Sequence, residues 1–305
     1  MSKEQRAAEQ FFFFLDSGVF PWNYSGNSIS EMEMLLRIDQ GFLDRLQETL
    51  AANQQAVKRL INQFSILFQN RIAQSILRLD DYERQLSIAP ANEIGKARDI
   101  AEVLKAFASN KNMPNKVPSQ NSLAVKKETK SQLQKNSSTR ELYINNSGLV
   151  LLHPFLSVLM QEIGMTMDNK WRDDQSQQMG LMVMQFLVTG DEVFPEHELP
   201  LNKILCGVDV SVPVENELII SENIQTASNE LLSEVIRQWS RLKNTGIDGL
   251  RETFLQRPGK LSKVDNGWLL QVEQKSVDVL LGGLPWGISV IKLPWMETLL
   301  YVDWT

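Results

Sequence analysis

Imidazole and thiol side chains are almost missing from this sequence: two histidines and one cysteine in 305 residues. His153 and His197 stand far apart, neither lies in an H-E-x-x-H pattern, and Cys206 has no second cysteine to pair with. An intramolecular disulfide is excluded, as is any zinc site that needs a Cys pair or a His pair at ligand spacing. The cysteine scarcity fits a reducing compartment. A Cys206–His153 or Cys206–His197 dyad is left open for a hydrolase. However, Cys206 follows Ile-Leu and precedes Gly, which reads as a small buried hydrophobe. His153, between Leu-Leu and Pro154, reads as a helix-start residue bonded to backbone.

Long apolar runs are absent too. Phe11–Leu15 and the stretch 179–188 are both too short to span a bilayer, and no apolar segment of a signal peptide precedes Phe11. The expectation is a cytoplasmic product with no direct membrane insertion. Excess positive charge is lacking: the formal net charge is −6, which weighs against a nucleic-acid binder. Gly282-Gly283 leads into Leu-Pro-Trp instead of a helix with Lys-Ser/Thr, so it reads as a turn and not a phosphate cradle. Acid pairs such as Asp173-Asp174 fall at turn or helix-start positions. No catalytic set, no cofactor and no metal is expected.

What the sequence does hold is tryptophan, seven in all, three of them in Pro-Trp pairs at Pro21-Trp22, Pro285-Trp286 and Pro294-Trp295. Proline fixes φ and tryptophan brings a large apolar surface, so each pair reads as a corner. Trp22, Trp286 and Trp295 are candidate partner-interface anchors, with burial in the protein's own core as the other reading.

Periodicity divides the chain. Residues 1–108 read as a helical module. Phe11–Leu15 stops at Asp16-Ser17-Gly18. A second run starts near Ser28 or Ser30, and Gly41 is a candidate break before residues 42–52. Val57, Leu60, Ile61, Phe64, Leu67 and Phe68 make one broad apolar stripe, continued by Ile72 and Ile76. After a break at Ala89-Pro90-Ala91, residues 94–107 give one more helix. Residues 109–140 are polar and hold seven Lys/Arg against one acid, a charge of +6, which leaves −12 on the remainder. Such a segment buries too little surface to offset its ordering entropy and reads as a basic flexible linker. Residues 141–305 then read as an α+β domain: a short strand at 142–144, helices over 149–163, 175–189, 221–243 and 247–255, and a hairpin through Asp265-Asn266-Gly267. Strands at 288–293 and 298–304 end it. The fold class expected is α+β, predominantly helical, with the C-terminal domain ending in a small antiparallel sheet.

Several phrases stand out in order along the chain: Phe-Phe-Phe-Leu-Asp-Ser-Gly-Val-Phe-Pro-Trp at 12–22, LYINNSGLVLLHPFL at 142–156, FLVTG at 186–190, and ELPLNKILCG at 198–207. WSRLKNTGIDGLRETFLQ at 239–256 and the two Leu-Pro-Trp turns complete the set. Together they resemble the contractile injection system tape measure proteins. The resemblance implies a non-enzymatic structural component of a phage-tail-like particle, with tube, cap or baseplate proteins as partners and a homo-oligomer left open. A wholly helical chain of this length would reach only about 460 Å at 1.5 Å per residue, and this one is broken into short elements. A plug, terminator or assembly factor in the tube lumen or at a tube end therefore fits better than a length ruler. The alternative is an assembly adaptor or chaperone that does not remain in the particle.

Overall fold

The computed structural model describes residues 2–21, 28–84, 97–109, 141–215, 218–242 and 244–304. Trp22, the 89–91 break and all but Ser109 of the 109–140 segment lie outside the described residues. The chain divides into two compact units, residues 1–122 with 211–214, and residues 123–210 with 215–305.

The first unit is helical: α1 (Lys3–Ser17), α2 (Ile29–Leu35), α3 (Gln40–Ala52), α4 (Gln54–Gln63), α5 (Ile66–Arg84) and α6 (Ala97–Ser109). Helix α1 opens on a reciprocal capping box between Ser2 and Gln5 and closes on Gly18 in the left-handed region, φ 74°. Its phenylalanine run supplies the core. Phe11 lies 5.3 Å from Phe42, 5.1 Å from Phe64 and 5.7 Å from Phe68 between ring centroids. Such edge and tilted contacts stabilise beyond area burial alone.

Two expectations change here. Gly41 does not break a helix; it sits in the first turn of α3. The break falls at Leu36–Asp39, because the Asp39 carboxylate accepts from the Phe42 N–H at 3.0 Å and starts the helix there. The stripe from Val57 to Ile76 is two helices, not one. Phe64 is extended, and the Glu33 carboxylate takes both the N–H and the hydroxyl of Ser65 at 2.7 Å each. The Ser65 hydroxyl in turn accepts from Phe68 N–H at 3.2 Å. That local cap resets the helix phase, and Leu67 ends up 74% exposed while Phe68 and Ile72 are buried.

The second unit runs β1 (Leu142–Ile144), a 3-10 turn at Ser147–Leu152, α7 (His153–Glu162), β2 (Thr166–Met167), β3 (Lys170–Trp171), α8 (Asp174–Thr189), α9 (Pro200–Cys206) and α10 (Glu222–Gln238). It ends with α11 (Ile247–Leu250), a π turn at Arg251–Leu255, β4 (Gly259–Val264), β5 (Gly267–Val272), a 3-10 turn at Ser276–Gly283, β6 (Val290–Ile291) and β7 (Leu299–Asp303). Asp173 caps α8, accepting from Ser176 N–H at 2.6 Å. The helix is buried on every side from Gly180 to Val188, not along one face, because α9, α10, β3 and the π turn all pack on it. The small β2–β3 hairpin, turning through Asp168 and Asn169 at positive φ, carries no strong pattern in the sequence.

The sheet has the order β1-β4-β5-β7-β6. It is mixed and not wholly antiparallel: β5 and β7 pair in parallel, Gly267 opposite Leu299 and Gln271 opposite Asp303. The segment 273–298 is long enough for the crossover that parallel pairing needs, and β6, within that segment, pairs antiparallel with the outer side of β7. Gly267 has φ 148°, and a Cβ there would lie 2.0 Å from the Leu299 carbonyl oxygen. Only glycine permits this approach.

Candidate functional site

The quoted phrases beyond residue 140 meet inside the second unit, and one meeting point is polar. Asn146, just after β1, donates to Gln185 Oε1 at 2.8 Å and to Asn202 Oδ1 at 2.7 Å. Asn202 donates to the Leu181 carbonyl at 3.0 Å and to Gln185 Oε1 at 3.2 Å. All three amides are buried. They tie the start of the domain to α8 and α9, and a buried amide without its partner costs about 1–3 kcal/mol, so the knot specifies one packing.

Two helix ends are closed by side chains from elsewhere in the chain. The last carbonyls of a helix have no intrahelical donor. At α8, Arg251 donates to Leu187 O at 3.2 Å and Phe186 O at 3.3 Å, and Gln256 to Val188 O at 3.1 Å. At α9, Trp295 donates to Leu205 O at 2.7 Å, while Trp171 and Gln177 both donate to Cys206 O at 2.9 Å. The Trp171 and Trp295 rings pack with centroids 4.6 Å apart. Gly207 ends α9 at φ 71°, where a Cβ would lie 2.8 Å from the Trp295 carbonyl oxygen.

Three further tryptophans also donate their indole N–H within the unit. Trp286 donates to Leu151 O at 3.0 Å and packs edge-on to Phe155; Trp239 donates to Leu280 O at 3.0 Å. Trp304 donates to Asp278 Oδ2 at 3.2 Å, and the same carboxylate pairs with buried Arg257 at 2.7 Å. Trp286 and Trp295 are thus half-buried, with each indole N–H bonded inside the unit. Trp22, the third anchor named from the sequence, lies outside the described residues.

Burial governs the one cysteine and the two histidines. Cys206 is buried, its thiol donates to Met184 Sδ at 3.7 Å, and burial raises its pKa well above the usual thiol range. His153 Nδ1 faces the Val150 carbonyl at 3.0 Å, the backbone bond expected at a helix start, and burial lowers its pKa. Burial lowers His197 to about 4, so it is neutral at pH 7. Lys203 and Glu196 form a buried ion pair at 2.7 Å, and Lys203 also donates to Val210 O at 2.9 Å. Among the described residues no group of three or more His, Cys, Asp or Glu side chains could hold a metal ion, and no helix is long and apolar enough to cross a membrane.

Asn146, Gln185, Asn202, Arg251 and Trp171 were not singled out in the sequence. Asn146 sits in Asn-Asn-Ser-Gly, which reads as a plain turn; Gln185 was the one polar residue in an apolar run, and that interruption was the available signal. The quoted phrases beyond residue 140 are therefore a framework, joined to one another by hydrogen bonds.

No curated protein and no solved structure matches the chain. The family model described as contractile injection system tape measure protein matches residues 1–108 and 87–304. With nearly its whole length matched, the chain belongs to the contractile injection system tape measure protein family.

Proposed function

We propose that this chain is a non-enzymatic structural component of a contractile injection particle, acting in the tube lumen or at a tube end as a plug, terminator or assembly factor. The observation that carries the reading is the use of the family's phrases: they close helix ends and join strands to helices, and none arms a reactive group. The longest described helix has 19 residues, about 28 Å, which favours compact units over a rod that measures length. Two modules joined by the basic segment 109–140 can engage separate neighbours. Trp286 and Trp295 keep part of their surface outside after their N–H groups are satisfied, which suits them as contacts to tube, cap or baseplate proteins.

The test is deletion of the gene with imaging of the particles, together with mass spectrometry of purified wild-type particles. Misassembled or wrongly terminated tubes in the mutant, with the chain present in the wild-type particle, are the expected results. Normal particles in the deletion strain would overturn the proposal. A required chain that is missing from the finished particle would replace it with the adaptor or chaperone reading. Doubling the linker should leave tube length unchanged; tubes that lengthen with it would restore the ruler role.

A further inference from the structure

Among its described residues the first unit carries a basic groove. The cavity, about 510 Å³, lies between one face of α5 and the extended Leu36–Asp39 connection. Arg71 and Arg78 stand two turns apart on α5, and Arg37 faces them from the connection, 4.0 Å from Asp39; Glu4 is the one acid among the described lining residues. Arg71 is held in place by the Glu33 and Leu36 carbonyls at 3.0 Å each. Met34, 76% exposed, and Ile38 supply apolar surface beside the three arginines. Residues 1–109 hold 12 Lys/Arg against 14 Asp/Glu, a net −2, so the groove is a local basic site on a slightly acidic module. That balance disfavours a nucleic-acid track and favours a small acidic, apolar-tipped occupant.

The second unit displays such a feature. Gly190 ends α8, and the next three residues, Asp191, Glu192 and Val193, are exposed, Val193 at 85%. Ile219, 80% exposed, stands just before α10. Gln225 ties the two loops together, donating to Glu192 Oε1 at 2.8 Å and to the Ile220 carbonyl at 3.2 Å. The Asp191 N–H is in turn held by Thr189 Oγ1 at 3.1 Å. Two bare aliphatic side chains and two carboxylates thus share one ordered corner.

We infer that the Arg37–Arg71–Arg78 groove of one copy receives the Asp191–Glu192–Val193 corner of another. The match is of charge and of apolar surface on both sides. Groove and corner are different surfaces, so two copies that exchange the contact reciprocally close a dimer, and copies that pass it onward form a larger assembly. A groove of this size buries less than a standard interface, so the association is weak, with Kd on the order of tens of micromolar. It is independent of the proposed place in the particle.

Sedimentation equilibrium of the full chain at low and high salt tests this. Wild type should self-associate at about 100 μM and dissociate as salt screens the charges. R37E/R78E and D191K/E192K should each associate at least about tenfold more weakly. Arg71 is left alone because it supports the fold. Mixed in equal amounts, the two variants place acidic groove against basic corner and basic groove against acidic corner, so association should return; a misfolded variant cannot give that result. A wild type that stays monomeric, a groove variant that associates like wild type, or a mixture that stays monomeric would each overturn the inference.

Discussion

The indole N–H of Trp295 donates to the Leu205 carbonyl at 2.7 Å and so closes the last turn of α9 from a loop ninety residues further along the chain. The bond ties the C-terminal Pro-Trp corner to the ELPLNKILCG phrase, and the Trp171 ring beside it completes the contact. Trp295→Phe keeps most of the ring packing but removes the donor, and should cost about 1 kcal/mol. Trp295→Ala removes both and should cost about 3 kcal/mol. Six of the seven tryptophans lie beyond residue 140, so fluorescence during urea unfolding follows the second unit. Equal stability of the Phe variant and wild type would show that the hydrogen bond contributes nothing.

His197 makes the second unit sensitive to mild acid. Burial lowers its pKa from 6.5 to about 4. Between these values the unfolded chain binds the proton and the folded chain does not, so stability rises with pH through that window and is lost as pH falls. The full effect is on the order of 3 kcal/mol. Glu198 works the other way near the acid end, because burial and Asp191 raise its pKa, so the folded chain takes up its proton first. Urea midpoints should therefore fall between pH 6.5 and 5, and His197→Gln should flatten that slope. A slope unchanged in the variant would place the sensitivity elsewhere.

The break between α4 and α5 makes a sharp prediction about two leucine-sized residues five positions apart. On one continuous helix Leu67 would share the buried stripe. With Glu33 holding Ser65, it faces outward. Leu67→Gln should change stability by less than about 0.5 kcal/mol. Ile72→Ala, in the core, should cost about 2–4 kcal/mol. Thermal melts followed by far-ultraviolet circular dichroism check both, and a large loss from the Leu67 change would restore the single stripe.

What the sequence made legible is what short-range chemistry dictates. Gly18, Gly190 and the Asp265-Asn266-Gly267 turn end or reverse elements where they were expected, since left-handed backbone and tight turns select their residues locally. The helical first module and the helices-then-strands order of the second followed from periodicity. Partners distant in sequence were not legible. Glu33 acting on Ser65, β7 inserting beside β5, and Arg251 closing α8 depend on side chains 26 or more residues apart, and no local pattern announces them. The Pro-Trp pairs were visible as corners, but the carbonyls their indoles seek were not.

The buried pair Lys203–Glu196 separates the cost of breaking an ion pair from the worth of having one. The two charges meet at 2.7 Å with almost no exposed surface on either side chain. Lys203→Met removes the cation, strips the Val210 carbonyl of its donor and leaves a carboxylate in the core without its ammonium; about 3–5 kcal/mol should be lost. Glu196→Leu alone should cost a similar amount, because it leaves the buried ammonium without its counter-charge. The double variant replaces both charges by apolar groups of similar length and should lie within about 2 kcal/mol of wild type. A double-variant loss that falls short of the summed single losses by about 4 kcal/mol or more, measured by urea unfolding of the four proteins, would show that the pair fixes the geometry of α9 more than it adds stability. If the two single losses simply add in the double variant, the pair is not coupled and α9 is held by its other contacts, the Asn202 amide and its capped carbonyls among them.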